Sequence, residues 1–336
     1  MMMKKSITVA GSIVVDRIKE IDAYPRIGMQ ANIVSVRRTT GGLVCNTASD
    51  LAMFSDDIRV VAMGCVGEDE DGRFAVEEMM RAGVDASRIV VKKNAVTSFT
   101  DVMSVPGKER TFFHMSGAGD LFGHDEALLF PIDTDIFHAG YLLMMKKLDM
   151  YDPVYGTAMA RLLHDVGKMG IRTSVDVVSS ERGDYKGIVG SVLPYCDYFI
   201  VNEIEAGQTV GISARNCSGK LEEDKVRAIL EKLMERGVRE ISCVHAPEGG
   251  FALDKHGSFF KCRSISLPEG YIKGTVGAGD AFCAGMLYGI LKDWDISKAL
   301  DFANKAAACC LSDITASGGM RTESEVWRVA DGFSTH

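Results

Sequence analysis

The segment GTVGAGDAF at residues 274–282 runs directly into the small and apolar segment CAGML at residues 283–287. Its closely spaced glycines allow the backbone to turn sharply and to approach a ligand closely. The small and apolar residues after the turn predict a helix that begins at about Asp280. The first N–H groups of a helix have no partners within the helix, so they point at the turn and form an anion-binding site.

A carboxylate lies at the mouth of this turn. Gly277, Ala278 and Gly279 form the predicted anion hole, and Asp280 follows them directly. Phosphoryl transfer needs electrostatic stabilisation of the transferred group and a carboxylate that accepts a hydroxyl proton, and this turn offers both. The alternative is that Asp280 only caps the helix, because Asp is a favoured N-cap residue. GAGD also occurs at residues 117–120, without a small-residue helix behind it, so the long context around Asp280 carries the catalytic hypothesis.

Apolar segments and helical periods alternate along the chain. The stretch from Ile7 to Val15 is predicted as the first strand. Later strand-like segments cover residues 136–139, 171–177, 198–201 and 241–245, and helices are predicted over residues 152–166, 185–193, 203–210 and 221–236. This alternation predicts an α/β fold with a doubly wound, mainly parallel sheet, in which ligands bind at the carboxyl ends of the strands.

Two segments break this alternation. Residues 16–40 are rich in β-branched residues without a helical period, and residues 97–114 resemble two short strands around the turn pair Pro106-Gly107. Both segments are predicted to form a small β-sheet that lies over the main sheet as a lid. No repeat, low-complexity tract or linker divides the sequence, so residues 1–336 are expected to form one domain.

A second polar motif follows the strand predicted at residues 198–201. Asn202 and Glu205 lie three residues apart at a strand-to-helix turn, so both side chains face the same way. Asn202 can contact a nucleotide there, and Glu205 can hold a hydrated Mg²⁺, which usually keeps several of its waters. The alternative is a capping box, because Asn at the N-cap with Glu three residues later is a common helix start.

A third motif lies near the amino terminus, before a predicted helix. Gly41 and Gly42 permit close approach of the backbone to a polyhydroxylated ligand, and Asn46 places an amide on the first turn of that helix. Asp16 ends the first predicted strand, where one carboxylate can accept hydrogen bonds from two neighbouring hydroxyls. An ordinary turn before a core helix, and an ordinary turn residue at Asp16, are the alternatives.

A fourth region is suited to the base of a nucleotide. His245 follows a strand and opens a predicted loop that ends at Gly250, and Asn304 lies in a helix with a small-residue face. Small residues allow a flat ring to pack against the backbone. They are equally common where two helices meet closely, so both interpretations stay open.

The composition sets the broad class of the protein. Hydrophobic residues make up 46% and charged residues 25%, which is ordinary for a globular protein. The net charge of −8 gives no support to binding of nucleic acid or of an anionic membrane. No apolar run reaches the roughly 18 residues of a membrane-spanning helix. Nine cysteines without CxxC spacing favour buried thiols in a reducing compartment, so a cytoplasmic location is expected.

Taken in order, these motifs resemble the ribokinase/PfkB family of carbohydrate kinases. The sequence carries Gly-Gly-x-x-x-Asn-x-Ala at residues 41–48, Gly-x-x-Gly-Glu-Asp at 64–69, Asn-x-x-Glu at 202–205 and Thr-x-Gly-Ala-Gly-Asp-Ala-Phe at 275–282. Four motifs in the right order, spread over nearly the whole chain, are far more specific than any one of them.

The resemblance implies a ribokinase-like, Rossmann-type fold with a lid that often forms a homodimer. It implies an ATP- and Mg²⁺-dependent kinase that phosphorylates a hydroxyl group of a small sugar-like substrate. The implied roles are general base for Asp280, anion hole for Gly277, Ala278 and Gly279, sugar binding for Asp16, Gly41, Gly42 and Asn46, ATP binding for Asn202, His245, Gly250, Thr275 and Asn304, and magnesium binding for Glu205.

Departures from the family pattern narrow these implications. The family usually has Asp before the Thr of its last motif, where it helps to bind an activating potassium ion in ribokinases. Gly274 stands at that position here, so a potassium requirement does not follow. Leu43 stands where ribokinase has Lys, and the Glu of ribokinase expected near Tyr141-Leu142 is absent. Ribose as the substrate therefore does not follow either.

Three other functions stay open. A nucleoside kinase shares the fold and all four motifs, and the aromatic residues Phe99, Phe112 and Phe113 in the lid segments are compatible with it. A phosphosugar kinase is disfavoured, because the lid-facing motifs lack an evident cluster of Arg and Lys, with Arg37-Arg38 and Lys108 as the candidates. A catalytically silent sugar-binding regulator would need neither Asp280 nor Glu205, so the presence of both acids argues against this function.

Overall fold

The computed structural model describes residues 4–105, 110–181 and 183–331 of the chain. Its strands are β1 (Lys5–Gly11), β2 (Val14–Ile21), β3 (Ile33–Gly41), β4 (Ile58–Gly67), β5 (Asp85–Lys92), β6 (Phe99–Ser104), β7 (Thr111–Met115), β8 (Ile136–Leu142), β9 (Tyr151–Asp152), β10 (Gly156–Thr157), β11 (Arg172–Val177), β12 (Tyr198–Asn202), β13 (Ile241–Ala246), β14 (Gly249–Asp254) and β15 (Phe259–Arg263). Its helices are α1 (Gly42–Phe54), α2 (Glu70–Arg81), α3 (His124–Ala127), α4 (Ala158–Lys168), α5 (Gly190–Val192), α6 (Glu203–Val210), α7 (Glu223–Glu235), α8 (Ala278–Leu291), α9 (Ile296–Cys310) and α10 (Glu323–Arg328). A π-helical turn lies at Tyr185–Val189, and 3₁₀ turns lie at Gly117–Leu121 and Leu193–Tyr195.

The main sheet has the strand order β15-β14-β13-β12-β11-β8-β1-β4-β5. The strands from β13 to β5 in this order pair in parallel, whereas β14 and β15 form an antiparallel edge. The parallel strands are apolar because helices cover both faces of the sheet. On β1, Ile7 and Val9 join one core with α1, α8 and α9, while Ala10 joins the opposite core with α4 and α7. The predicted doubly wound, mainly parallel sheet is confirmed.

The direction of winding reverses between β1 and β8. On one side of this boundary the sheet continues from β1 to β4 and β5, and on the other from β8 to β11, β12 and β13. In doubly wound folds, ligands bind outside the carboxyl ends of the strands at such a switch point. The end of β1 at Gly11 pairs there with Gly140 of β8.

Gly11 is the residue at which the chain leaves the main sheet. Its φ of +144° is a conformation that residues with a side chain rarely adopt. A Cβ atom at this position would lie 1.5 Å from the carbonyl oxygen of Gly140. Ser12 donates its backbone N–H to the same oxygen at 3.1 Å, which holds the exit of the chain in place. Only glycine therefore fits at the end of β1.

A second sheet, with the order β3-β2-β6-β7, contains strands from both segments that the sequence assigned to a lid. One detail of that prediction was wrong, because the first strand of the main sheet ends at Gly11 and not at Asp16. Asp16 is instead the third residue of the lid strand β2, since the turn at Gly11 divides the apolar run. The turn predicted at Pro106-Gly107, and also Lys108, lie outside the described residues.

The helix predicted over residues 152–166 begins later than expected. Tyr151–Asp152 and Gly156–Thr157 pair as a small antiparallel hairpin. Thr157 then caps α4, because its Oγ1 atom accepts the backbone N–H of Ala160 at 3.2 Å. The helix predicted over residues 185–193 is instead a π-helical turn followed by the three-residue helix α5 and a 3₁₀ turn. The remaining strands and helices predicted after residue 136 are present, with ends that shift by a few positions.

Two further features concern the cysteines and the helices of the described residues. All nine cysteines lie in the described part of the chain and are free thiols. Cys217 is exposed and Cys262 is partly buried, whereas the others are buried. Within the residues that the structure describes, every helix is too short or too polar to cross a bilayer.

Replacing Gly11 with Ala should destabilise the fold strongly, because the added methyl group collides with a carbonyl group in the middle of the main sheet. We expect the free energy of unfolding to fall by at least about 3 kcal/mol, as measured by urea denaturation. Gly257→Ala is the control, since Gly257 has φ of +81° but open space around it. This control should lose only about 1–2 kcal/mol. Equal losses in the two variants would contradict the collision.

Candidate active site

A cavity of about 180 Å³ lies at the switch point of the main sheet. It is formed at the carboxyl ends of β8, β11, β12 and β13 and at the amino end of α8. Its lining residues are Tyr141, Asp176, Val177, Val178, Ser179, Asn202, Glu205, His245, Gly279 and Asp280. Three of these residues are acids, so a cluster of carboxyl groups in a small volume is the main feature of this cavity.

Asp280 is the third residue of α8, and its side chain is buried. Its Oδ2 atom accepts a hydrogen bond from Asn46 Nδ2 at 2.9 Å, and its Oδ1 atom accepts one from the Tyr141 hydroxyl at 2.5 Å. Both donors come from other elements, α1 and β8, so the carboxylate is held by tertiary contacts and not by the N–H groups of its own helix. Burial raises the pKa of Asp280, and the two hydrogen bonds oppose that rise.

The turn before α8 requires the glycine that the sequence places there. Gly277 has φ of +83°, and a Cβ atom on it would lie 2.4 Å from the carbonyl oxygen of Ala316. Gly279 lines the cavity, and a Cβ atom there would lie 3.3 Å from the His245 ring. The helix begins at Ala278, two residues before the predicted start, so its first turn faces the cavity. Thr275 is exposed just before this turn.

Asn202 and Glu205 form a capping box, which was the alternative to a ligand-binding role in the sequence analysis. Asn202 Oδ1 accepts the N–H groups of Ile204 and Glu205 at 3.0 and 2.9 Å, and Glu205 Oε2 accepts the Asn202 N–H at 3.1 Å. Glu205 Oε1 also accepts from Ser179 Oγ at 2.7 Å, and Glu205 still lines the cavity. Burial, with a contribution from Asp280, raises the pKa of Glu205 to about 7. Capping therefore does not remove this carboxylate from the cavity.

Sequence reasoning missed the roles of two titratable residues of the cavity, Asp176 and Tyr141. Asp176 is buried near the end of β11, and burial next to Glu205 and Asp280 raises its pKa well above the ordinary range. It lies one residue before the end of the strand predicted over residues 171–177, and a carboxylate near the end of a strand is the same signal that singled out Asp16. Tyr141 stands near the position where a ribokinase-like Glu was expected, and only its contact with Asp280 reveals a different role.

The residues expected to bind a sugar fall into two adjacent groups. Asn46 lies on the second turn of α1, not the first, and contacts Asp280 directly. Gly42 has φ of +80° against the Ser12 carbonyl, and a Cβ atom on Gly41 would lie 2.5 Å from Asp16 Oδ2. Burial raises the pKa of Asp16 to about 6. Asp16 thus lies beside the start of α1, although it does not line the cavity itself.

The residues expected to bind ATP are only partly brought together. The predicted loop from His245 to Gly250 is a tight hairpin between β13 and β14. His245 lines the cavity against the Phe282 ring, at a centroid distance of 4.9 Å. A Cβ atom on Gly250 would lie 2.7 Å from that ring, so Gly250 packs against protein. Asn304 Nδ2 donates to the Cys262 carbonyl at 3.1 Å and so joins α9 to β15.

One group of potential metal ligands occurs among the described residues, namely His138, Asp176 and Cys283, whose ligand atoms lie within 4.8 Å of one another. His138 Nδ1 lies 3.0 Å from Ser174 Oγ, and His138 Nε2 lies 3.7 Å from Cys283 Sγ. These contacts satisfy both ring nitrogens without an ion. Burial lowers the pKa of His138 to about 3, so the ring is neutral. Glu205, the predicted magnesium residue, lies outside this group but shares the cavity with Asp176.

Known proteins resemble this chain along most of its length. The model of the pfkB family of carbohydrate kinases matches residues 4–323. A 5-dehydro-2-deoxygluconokinase of Geobacillus kaustophilus is 25% identical over 305 residues, which cover 85% of this chain and 83% of that protein. An ATP-dependent ribose-1-phosphate kinase of Halopiger xanaduensis is 25% identical over 299 residues, which cover 89% of each protein.

Solved structures share the fold. Ribokinase of Arabidopsis thaliana, complexed with ribose and ATP, superposes with a TM-score of 0.79 at 20% identity, over 97% of this chain and 99% of the other. The 2-dehydro-3-deoxygluconokinase of Thermotoga maritima superposes with a TM-score of 0.78 at 17% identity, over 98% and 99% of the two chains. From the family match over residues 4–323, this chain belongs to the pfkB family of carbohydrate kinases, and it is a sugar kinase with the ribokinase fold.

Proposed function

We propose that this enzyme transfers the terminal phosphoryl group of ATP to a hydroxyl group of a small sugar or sugar-derived substrate, with Asp280 as the general base. The observation that carries this proposal is the position of the Asp280 carboxylate. It is buried in the first turn of α8, at the edge of an acid-lined cavity, and is aimed by Asn46 and Tyr141. A carboxylate that accepts a hydroxyl proton must be oriented in this way before the substrate arrives.

The anion hole in this proposal is the backbone of Gly277, Ala278 and Gly279. The first N–H groups of α8 carry the positive end of the helix dipole, so charge that develops on the transferred phosphoryl oxygens is stabilised there. The turn is rigid, because Gly277 is packed against Ala316. A preorganised site of this kind needs no reorganisation at the moment of transfer.

The acceptor is proposed to lie between Asp280 and the lid, in contact with Asp16, Gly41, Gly42 and Asn46. Asp16, Thr100 and His114 occupy one register row across β2, β6 and β7, and Thr100 Oγ1 lies 3.0 Å from His114 Nδ1. This row presents acceptors and donors to a polyol from one face of the lid. The names of the relatives concern a sugar acid and a sugar phosphate, and the acceptor proposed here is the wider class of sugar-derived alcohols.

A nucleoside kinase is the second candidate, and the positions of the aromatic side chains in the lid are relevant to it. Val102 pairs with both Ile18 and Phe112, so these three side chains lie on one face of the lid. Ile18 is two residues after Asp16 on β2, and Phe112 is therefore on the same face as Asp16. Phe99 and Phe113 lie on the opposite face, and Phe99 is covered by the Arg17 guanidinium at 4.0 Å. Phe112, which is 57% exposed, is thus the aromatic side chain on that face that a nucleobase could stack on.

ATP is proposed to approach the cavity past Asn202, His245 and Thr275. Gly250 and Asn304, which were expected to contact ATP, are proposed to support this region from behind, because their contacts are with Phe282 and with the end of β15. In this arrangement the neutral His245 ring and the flat face of the hairpin border the nucleotide.

Magnesium is proposed to be held through water by Glu205 and Asp176. Oxygen ligands of this kind suit Mg²⁺, and the two acids share the cavity with Asp280. Bound Mg²⁺ would supply positive charge opposite the phosphates. We propose no role for potassium, because Gly274 lacks a carboxylate and the Cys310 thiol contacts the Val276 and Ala316 carbonyl oxygens behind it, at 3.4 and 3.1 Å.

A homodimer through the lid is proposed from its exposed apolar side chains. Val36, Phe113 and Met115 lie on the face of the lid opposite Asp16, and they are 66%, 58% and 48% exposed. Val36 lies on the edge strand β3, and Phe113 and Met115 lie on the other edge strand, β7. Exposed apolar side chains on one face of a sheet are typical of a surface that a second protein covers.

Replacing Asp280 with Asn tests the proposed function. We expect kcat to fall by about 10² to 10⁴, because general-base assistance is lost while the shape of the side chain is kept. The measurement is a coupled assay of ADP release over a panel of sugars, sugar acids and nucleosides, with ATP binding measured in parallel. ATP binding should change little.

Asp120→Asn is the matched control, since Asp120 ends the other GAGD tetrapeptide and lies in a short 3₁₀ turn. It should keep most of the activity. If Asp280→Asn keeps more than about a tenth of kcat, or if both variants collapse equally, the assignment of the base is wrong.

Replacing Glu205 with Gln should raise the Mg²⁺ concentration that gives half-maximal rate. The fold should be kept, because Gln can also complete a capping box. In the wild type, the same Mg²⁺ requirement should rise as the pH falls through about 7, where Glu205 becomes protonated and can no longer attract the ion. Glu203→Gln is the control, because Glu203 lies on the same helix but pairs with Arg215 at 2.7 Å. Identical Mg²⁺ titrations for the two variants would remove Glu205 from the site.

Replacing Asp16 with Ala should raise KM for the acceptor by roughly 10² and leave ATP hydrolysis without acceptor nearly unchanged. Two substrate hydroxyls lose their partner, and each unpaired group costs on the order of 1–3 kcal/mol. KM should also rise in the wild type as the pH falls below about 6, where Asp16 becomes protonated. Glu20→Ala, on the same face of β2 but exposed, is the control. A KM within about threefold of the wild type would place the acceptor elsewhere.

A further inference from the structure

Helix α1 carries side-chain oxygen atoms that are buried without hydrogen-bond partners. Asn46 is 4% exposed, and Thr47 and Asp50 are 0% exposed. Asn46 Oδ1, Thr47 Oγ1 and both carboxyl oxygens of Asp50 have no hydrogen-bond partner among the described residues. Buried polar atoms in native proteins are almost always paired, so this group of oxygens requires an explanation.

The surroundings of Asp50 disfavour its ionised form. The titratable groups that act on it are Asp280 of α8 and Cys310 of α9, and both carry negative charge or none. A buried carboxylate without a cation or a donor takes up a proton instead of remaining charged. Burial, together with Asp280, accordingly raises the pKa of Asp50 well above its ordinary value.

The spacing on α1 allows these groups to satisfy one another. Asn46 lies four residues before Asp50 and Thr47 lies three residues before it, and both spacings bring side chains together on one helix face. A neutral carboxyl group has one O–H donor and one carbonyl acceptor. The donor can serve Asn46 Oδ1, and the acceptor can serve the Thr47 hydroxyl. This pairing would give each of the four oxygens a hydrogen-bond partner.

We propose that Asp50 is a neutral carboxylic acid that positions the Asn46 side chain, and through it the Asp280 carboxylate. With Oδ1 of Asn46 held by the Asp50 O–H group, the Asn46 amide can present only its N–H₂ group to Asp280. The reverse orientation would bring the amide oxygen against the carboxylate. Asp50 is 0% exposed and does not line the cavity, so it acts as a positioning residue, and this inference rests on the proposed role of Asp280.

The protonation of Asp50 can be measured without any activity. Infrared spectroscopy of the full-length wild-type protein at neutral pH should show the C=O stretching band of a buried protonated carboxylic acid. Asp50→Asn should remove that band, whereas Asp280→Asn should keep it. If no such band depends on Asp50, the residue is ionised and the proposal fails.

Measurements of kcat then distinguish a positioning role of Asp50 from a contribution through packing or through charge. Asp50→Leu removes both the donor and the acceptor at similar size, and we expect kcat to fall at least about tenfold with KM for ATP within about threefold. Asp50→Asn should recover at least about a third of kcat, because its N–H₂ group can donate to Asn46 Oδ1 and its oxygen can accept from Thr47. Leu51→Val, a buried neighbour on α1, is the control for loss of packing and should keep kcat.

Two outcomes would overturn the proposal. If Asp50→Asn is as inactive as Asp50→Leu, and if sodium or potassium chloride raises the melting temperature of the wild type but not of Asp50→Asn, Asp50 is an ionised ligand of a monovalent cation. If Asp50→Leu keeps full kcat, the Asn46 side chain needs no such support. Failure of the proposed function is distinct, since an active Asp280→Asn variant would leave the infrared band of Asp50 in place.

Discussion

The hydrogen bond from Asn46 Nδ2 to Asp280 Oδ2 joins residues that are 234 positions apart in the chain, and the candidate site depends on it. Helix α1 supplies the donor and helix α8 the acceptor, and both helices pack on the same face of the main sheet. Both partners are buried, so losing either one leaves an unpaired polar group that costs about 1–3 kcal/mol. The first and last motifs of the sequence can therefore be oriented only when the whole domain has folded.

Burial of several acids around that bond is the electrostatic constraint on the site. Asp176, Glu205 and Asp280 share one small cavity, and burial raises the pKa of each of them. A group whose pKa rises on folding stabilises the fold while protonated and loses that contribution as the pH increases. For Glu205 the loss runs from its ordinary value of 4.5 to about 7. A divalent cation at the proposed magnesium site would offset this loss, and its binding would then raise the stability of the fold.

The sequence predicted the sheet, both lid segments and the order of the motifs, because local patterns carry that information. Contacts between segments that are distant in the chain could not be predicted from these local patterns. The exit of the chain at Gly11 was missed, since its close approach to Gly140 is a property of two paired strands. The first strand was therefore extended too far, up to Asp16, although that residue lies in the lid strand β2. At Tyr141, only the missing Glu of ribokinase was evident from the sequence. In the structure, the Tyr141 hydroxyl donates a hydrogen bond to Asp280. At Asn202 and Glu205 the capping interpretation and the cavity position both hold, so the two were never exclusive.

The two GAGD tetrapeptides show why context determines chemistry here. Gly117–Leu121 is a single 3₁₀ turn, and the carboxylate of Asp120 lies 3.7 Å from the exposed Lys146. Helix α8 runs for 14 residues, and every residue from Asp280 to Leu291 is buried. A long helix sums more peptide dipoles, and a dry environment screens its field less, so the amino end of α8 attracts an anion more strongly than a short exposed turn can. The apolar residues after Asp280 therefore belong to the sequence signal for the proposed anion hole, because they bury the helix whose first turn would form it.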